Sequence, residues 1–110
     1  MYSSPMLRIP GQPGLADPAT IIRLQGAGNY TIVHLLSAPK PIMVTETLKY
    51  FEERLPDFIR VNKSELINPV YVSRLNYIDG KRMHVELKNG LNLSVSRRRM
   101  LTIRQQLTVK

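Results

Sequence analysis

The stretch RMHVELKNGLNLSVS, residues 82–96, decides how this chain folds. Met83, Val85 and Leu87 alternate with His84, Glu86 and Lys88, and Leu91, Leu93 and Val95 alternate with Asn92, Ser94 and Ser96. Alternation of period two marks strands with one buried face, and Asn-Gly between two such runs marks a hairpin. A two-residue Asn89-Gly90 turn would pair Lys88 with Leu91 and set every apolar residue opposite a polar one. A three-residue loop, Lys88-Asn89-Gly90, pairs Leu87 with Leu91, Val85 with Leu93 and Met83 with Val95. The second register keeps all apolar side chains on one face, so it is predicted, with Gly90 at positive φ.

Working outward, Ser96 marks a strand-to-helix junction, and Arg97–Leu107 is predicted as a basic C-terminal helix with Met100, Ile103 and Leu107 on one face. Upstream, Val70 to Ile78 has strand composition broken near Ser73-Arg74, and Phe58–Val61 is strand-like. Asn62-Lys63-Ser64 interrupts, with Ser64 expected to cap a single turn over Glu65–Ile67 that Asn68-Pro69 ends. Thr45 to Leu55 switches to helical spacing: Leu48, Phe51 and Leu55 share a face, Thr45 or Thr47 can cap the start, and Pro56 stops it. Glu52 and Glu53 fall on the solvated side. Ile21–Leu24, Tyr30–Leu36 and Ile42–Val44 read as further strands, punctuated by Gly26–Asn29 and by a turn between Pro39 and Pro41. Residues 1–19, with Pro5, Pro10, Pro13, Pro18, Gly11 and Gly14, form a tail or linker whose Met6, Leu7 and Ile9 could dock on the domain, and residues 20–110 form one domain. The fold class is mostly β with minor α.

Charge narrows the function. The net charge is +8, and residues 61–110 carry ten cations against three anions. A surface charged only for solubility mixes its signs, so this segregation points to an anionic partner, against the bland reading of a merely basic surface. With zero Cys there is no disulfide framework and no thiolate metal site. His34 and His84 are lone imidazoles without ligand spacing, so no metal and no cofactor is expected. No Gly-Lys-Ser/Thr phosphate loop, nucleophile elbow or triad is present, so the chain is expected not to be an enzyme and to have no small-molecule substrate. No apolar run reaches the ~18–20 residues of a membrane span and no signal peptide opens the chain, so the expectation is a cytoplasmic protein with no membrane partner.

Gly28–Val33, Thr47-Leu48-Lys49, Leu55–Ser64, Ile67-Asn68, Leu87–Gly90 and Val95–Arg98 together resemble the successive blocks of a LytTR domain, the DNA-binding half of LytR/AlgR-type response regulators of bacterial two-component systems. The resemblance covers roughly residues 20–108. It implies an elongated arrangement of antiparallel sheets with one short mid-chain helix and a C-terminal helix, and transcription regulation through double-stranded DNA. It also implies that loops, rather than a recognition helix, enter successive major grooves. Base contacts carry over to Asn29, Lys63, Ser96 and Arg97, with Tyr30, Arg60, Asn62, Ser64, Arg98 and Arg99 contacting phosphate or giving support. Family members commonly follow a receiver or sensor domain. Here only the tail precedes, so the chain either acts alone, with a second copy on repeated sites as one means of control, or is an excised part.

The chemistry of these side chains is compatible with that assignment. Asn29 presents an amide that pairs with an adenine edge, although Asn after Gly also simply suits a turn. Lys63 can reach a phosphate or a guanine, or be an ordinary surface lysine. Arg97–Arg99 offer planar forks at a helix start, where a nearby anion would offset their conflict with the helix dipole; the bland alternative is a solvated basic face. Arg97 is assigned to the bases and one of Arg98 or Arg99 to phosphate. Arg60 fits structural support, by stacking or by pairing with a carboxylate, better than contact. Tyr30 and Tyr77 are read as strand-face packing. The alternative function is RNA or single-strand binding through Tyr30, Tyr71 or Tyr77, disfavoured by an aromatic content of only 6%.

Overall fold

The hairpin of residues 82–96 forms in the register that buries one face. In a computed structural model describing residues 6–108 except Ser37 and Pro39, strands β7 (Arg82–Leu87) and β8 (Asn92–Ser94) pair His84 with Ser94, Val85 with Leu93 and Glu86 with Asn92. Leu87 N–H donates to the Leu91 carbonyl at 2.8 Å, and Gly90 closes the loop at φ 90°, a left-handed conformation costly for residues with a Cβ. Strand β6 (Val72–Asp79) completes this sheet in the order β6-β7-β8, with a register shift between Val72 and Arg74 where the sequence reading placed its interruption.

A second antiparallel sheet has the order β3-β2-β1-β5-β4, from β1 (Ile21–Ala27), β2 (Tyr30–Leu35), β3 (Ile42–Val44), β4 (Ile59–Asn62) and β5 (Glu65–Ile67). Helix α1 spans Leu48–Arg54, and of the two candidate caps Thr47 is the one used: its Oγ1 accepts from Tyr50 N–H at 3.3 Å. The C-terminal helix begins with a tight turn at Arg97–Arg99 and continues as α2 (Met100–Thr108).

Two apolar clusters occupy opposite faces of the five-stranded sheet. On one, Ile21, Leu24, Val33, Val44 and Leu66 meet Leu48, Phe51 and Leu55. On the other, Ile59, Val61 and Ile67 meet Met83, Val85, Leu87, Leu93 and Val95 with Met100 and Ile103 of α2. Burying a side chain the size of Leu or Phe contributes ~1.5–3 kcal/mol, so both layers are needed to hold the strands.

Glu65–Ile67 corrects the reading of this segment as a helical turn capped by Ser64. Leu66 enters one cluster and its neighbour Ile67 the other, and only strand alternation sends consecutive residues to opposite faces. Three residues carry too short a pattern to reveal this. The single turn forms instead at Pro69–Tyr71, capped by Asn68, whose side chain accepts from Val70 N–H at 3.1 Å and donates to the Ile21 carbonyl at 3.0 Å. Leu7 and Ile9 of the tail are buried in the first cluster, and Leu7 bridges Ala16, while Met6 stands exposed. Met1–Pro5, Ser37, Pro39, Val109 and Lys110 lie outside the described residues, and with them the Pro39 side of the expected turn.

Candidate nucleic-acid interface

Three connections carry the residues assigned to bases. The first joins β1 to β2: Ala27 pairs with Tyr30, leaving Gly28-Asn29 as a two-residue turn. Gly28 at φ 65° followed by Asn29 at negative φ is the pattern of a type II′ turn, whose twist suits a hairpin. Asn29 and Tyr30 are exposed there.

The second joins β4 to β5 through Lys63-Ser64, since Asn62 pairs with Glu65. This turn has neither glycine nor positive φ, so side chains impose its shape. Asn62 Oδ1 accepts from Ser64 N–H at 2.7 Å, an Asx-type closure. Arg60 donates to the Asn62 carbonyl at 2.8 Å and the Lys63 carbonyl at 2.6 Å, and its third contact is Glu52 Oε1 at 2.6 Å. Arg60 thus pairs with a carboxylate and holds the turn, one of the two structural arrangements its place in the sequence suggests. Glu52, on the polar side of α1 and with its side chain still 38% exposed, is in addition an ion-pair partner; helical periodicity cannot see a cation on another element. Lys63 and Ser64 are left exposed.

The third is the exit from β8, where Ser96 precedes Arg97. Arg97 and Arg98 are exposed and Arg99 is half-buried. Ser96 Oγ is buried and finds no hydrogen-bond partner among the described residues.

Tertiary pairing brings these connections to one end of the sheet. Gly26 N–H donates to the Ser64 carbonyl at 2.8 Å, tying the first hairpin beside the second. Ser96 N–H donates to the Val61 carbonyl at 2.9 Å, and Asn62 Nδ2 donates to the Ser94 carbonyl at 2.5 Å, tying the second beside the third. Lys49, at the start of α1, lines a concavity of about 310 Å³ with Gly28, Lys63 and Ser64. Sequence reading left Lys49 without a role, although it follows the capping Thr47 within a quoted family block. Among the described residues none of Lys49, Lys63, Arg97, Arg98 and Arg99 is held in an ion pair. Arg23 is occupied instead: it bonds Glu65 at 2.7 Å between well-buried side chains. Burial pushes the Glu65 carboxyl up despite Arg23, and burial followed by the Arg23 charge holds His34 below its ordinary value.

The three tyrosines of the alternative reading are dispersed. Tyr30 is at the turn end of the first sheet. Tyr71 lies past the opposite end of β5, where its hydroxyl donates to the Ala19 carbonyl. Tyr77 is half-exposed on β6, with the Arg104 guanidinium 5.5 Å from its ring centroid. No group of three or more His, Cys, Asp or Glu side chains converges among the described residues, and no described helix is long and apolar enough to cross a membrane.

Comparison with known proteins agrees with this architecture. No curated protein matches the chain. A solved LytTr DNA-binding domain from a Bacillus cereus protein described as a methyl-accepting/DNA response regulator superposes with a TM-score of 0.76 at 18% identity, covering 99% of this chain and 100% of that one. At that identity the likeness concerns the fold. The family model of the LytTr DNA-binding domain matches residues 15–108. The chain belongs to the LytTr family of DNA-binding domains, which act in transcription regulation.

Proposed function

We propose that this chain binds duplex DNA sequence-specifically as a bacterial transcriptional regulator in the cytoplasm, reading bases through Asn29, Lys63 and the Ser96-Arg97 junction. The observation that carries the reading is the common end shared by three exposed, polar tips that are far apart in the chain. Arg97 supplies a bidentate fork for guanine, Asn29 an amide for adenine, and Lys63 a compact cation for guanine or phosphate. Ser96 acts through the backbone geometry it gives the junction. Lys49, Arg98 and Arg99 contact phosphate, Tyr30 and Ser64 flank the contacts, and Arg60 and Asn62 support them.

Strands in a sheet stand ~4.8 Å apart, so three to four spacings from the first hairpin to the β8 exit give ~17 Å between the outer tips. That is about half of the ~34 Å helical repeat. Insertion into successive major grooves therefore needs the outer side chains splayed apart, or DNA bent toward the protein. With its side chains splayed or the DNA bent, a single copy reads at most about one turn of duplex, and a second copy on a repeated site extends it.

Selection of bound sequences from a random duplex pool, followed by polarisation titrations of the selected duplex against competitor at several salt concentrations, tests the reading. A shared motif should emerge, with affinity falling steeply as salt rises and a sequence-dependent margin persisting. Equal affinity for every duplex would defeat the specific version, and preference for single strands would favour RNA or single-strand binding.

A further inference from the structure

We propose that Glu52 is a positioning residue for DNA recognition, acting through Arg60 to set the Lys63 tip; the proposal rests on the reading above. Charge alone argues the other way. A carboxylate near an edge that meets phosphates should weaken binding, and its removal should tighten it. Glu52 is nevertheless spent on Arg60, at 2.6 Å.

The geometry explains why. Arg60 Nε and Nη2 donate to the carbonyls of Asn62 and Lys63, while Nη1 donates to Glu52. A planar guanidinium held on one edge by a carboxylate presents its remaining donors in a fixed fork. The turn it grips lacks the glycine or positive φ that makes a two-residue hairpin self-supporting. Its Asx closure and this grip supply what the backbone lacks. The other end of the clamp is firm, because Glu52 follows Phe51, which is fully buried. Through Asn62 and the Ser94 carbonyl the same turn is fastened beside the Ser96-Arg97 junction. Loosening Arg60 therefore frees Lys63 relative to α1, while the Asn62 bond still holds the base of the turn beside the neighbouring tip. Glu53, exposed on the same helix, lets the same change of charge be made without touching the clamp.

The experiment measures affinity of the full chain for a duplex selected by the wild type and for a scrambled duplex, with Glu52→Gln, Glu52→Ala, Glu53→Gln, Lys63→Ala and the Glu52→Ala/Lys63→Ala double variant. Glu53→Gln should bind both duplexes as well as the wild type or slightly better. Glu52→Ala should lose about tenfold on the selected duplex with no loss on the scrambled one, the scale of one hydrogen bond to a charged group. Glu52→Gln should fall between. On the Lys63→Ala background Glu52→Ala should cost little more, a coupling that general destabilisation would not produce. Thermal unfolding accompanies each variant, and if Glu52→Ala fails to fold, Glu52→Gln alone and with Lys63→Ala is read in its place. Retention of the wild-type discrimination, or an undiminished cost when Lys63 is already absent, overturns the proposal. A wild type without discrimination overturns the DNA-specific reading itself, and this proposal with it.

Discussion

Among the described residues, Ser96 turns its Oγ into the protein without a hydrogen-bond partner, whereas its neighbour Arg97 stands in solvent with no ion pair. The two residues, assigned together to bases from the sequence, are therefore expected to behave differently. Arg97→Ala should weaken binding to a selected duplex by ~1–3 kcal/mol and relax preference at one position, the usual value of a bidentate base contact. Arg97→Lys should not restore it, since an ammonium lacks the fork. Ser96→Ala should leave affinity close to wild type. Titration of the three variants against selected and point-mutated duplexes checks this, and an Arg97→Ala chain with unchanged preference would count against base contact. At this scale the sequence exposed the candidates themselves. It could not show which way Ser96 points, because a side chain's orientation depends on what packs against it.

At the scale of elements, the segment before β1 is part of the fold as well as a lead into it. Leu7 and Ile9 lie in the cluster beneath α1, and the Leu7–Ala16 bridge folds the segment back on itself. Truncating a buried Leu costs ~2–5 kcal/mol through lost transfer and the cavity left behind. Leu7→Ala is accordingly expected to lower stability by about that amount in denaturant unfolding. Met6→Ala, at an exposed position, should stay within ~0.5 kcal/mol of wild type. Equal effects of the two would show that the docked segment contributes nothing. The sequence hinted at this docking through three apolar residues among prolines and glycines, but they lack a period. Glu65–Ile67 failed for a related reason: three residues look alike as turn or strand until both clusters are present.

At the scale of the whole molecule, two partly buried groups give stability opposed pH slopes. Burial, and then the Arg23 charge, keep His34 below its ordinary 6.5, so the unfolded chain binds more protons in the interval just under that value. Stability from this group should rise as pH climbs to about 6.5 and then level off. Burial raises Glu65 above its ordinary 4.5, so the folded chain binds more protons there, and stability from this group should decline as pH rises through that lower window. Melting wild type and His34→Gln between about pH 5.5 and 7.5 separates them: the variant should lose the wild type's rise, and an unaltered rise would refute the assignment.

The sequence by itself determined the strands whose apolar residues alternate, the Leu87–Leu91 register, the amphipathic helix, the concentration of positive charge in the second half, and the family. Each of these is written in neighbouring residues, where period and turn chemistry act locally. Only the tertiary structure decided that Glu65–Ile67 is a strand between two cores, that Arg60 and Glu52 clamp the Lys63 turn, and that Asn29, Lys63 and Arg97 share one end of the molecule. Those features depend on partners far away in the chain, and a local pattern does not record which distant segment will supply them.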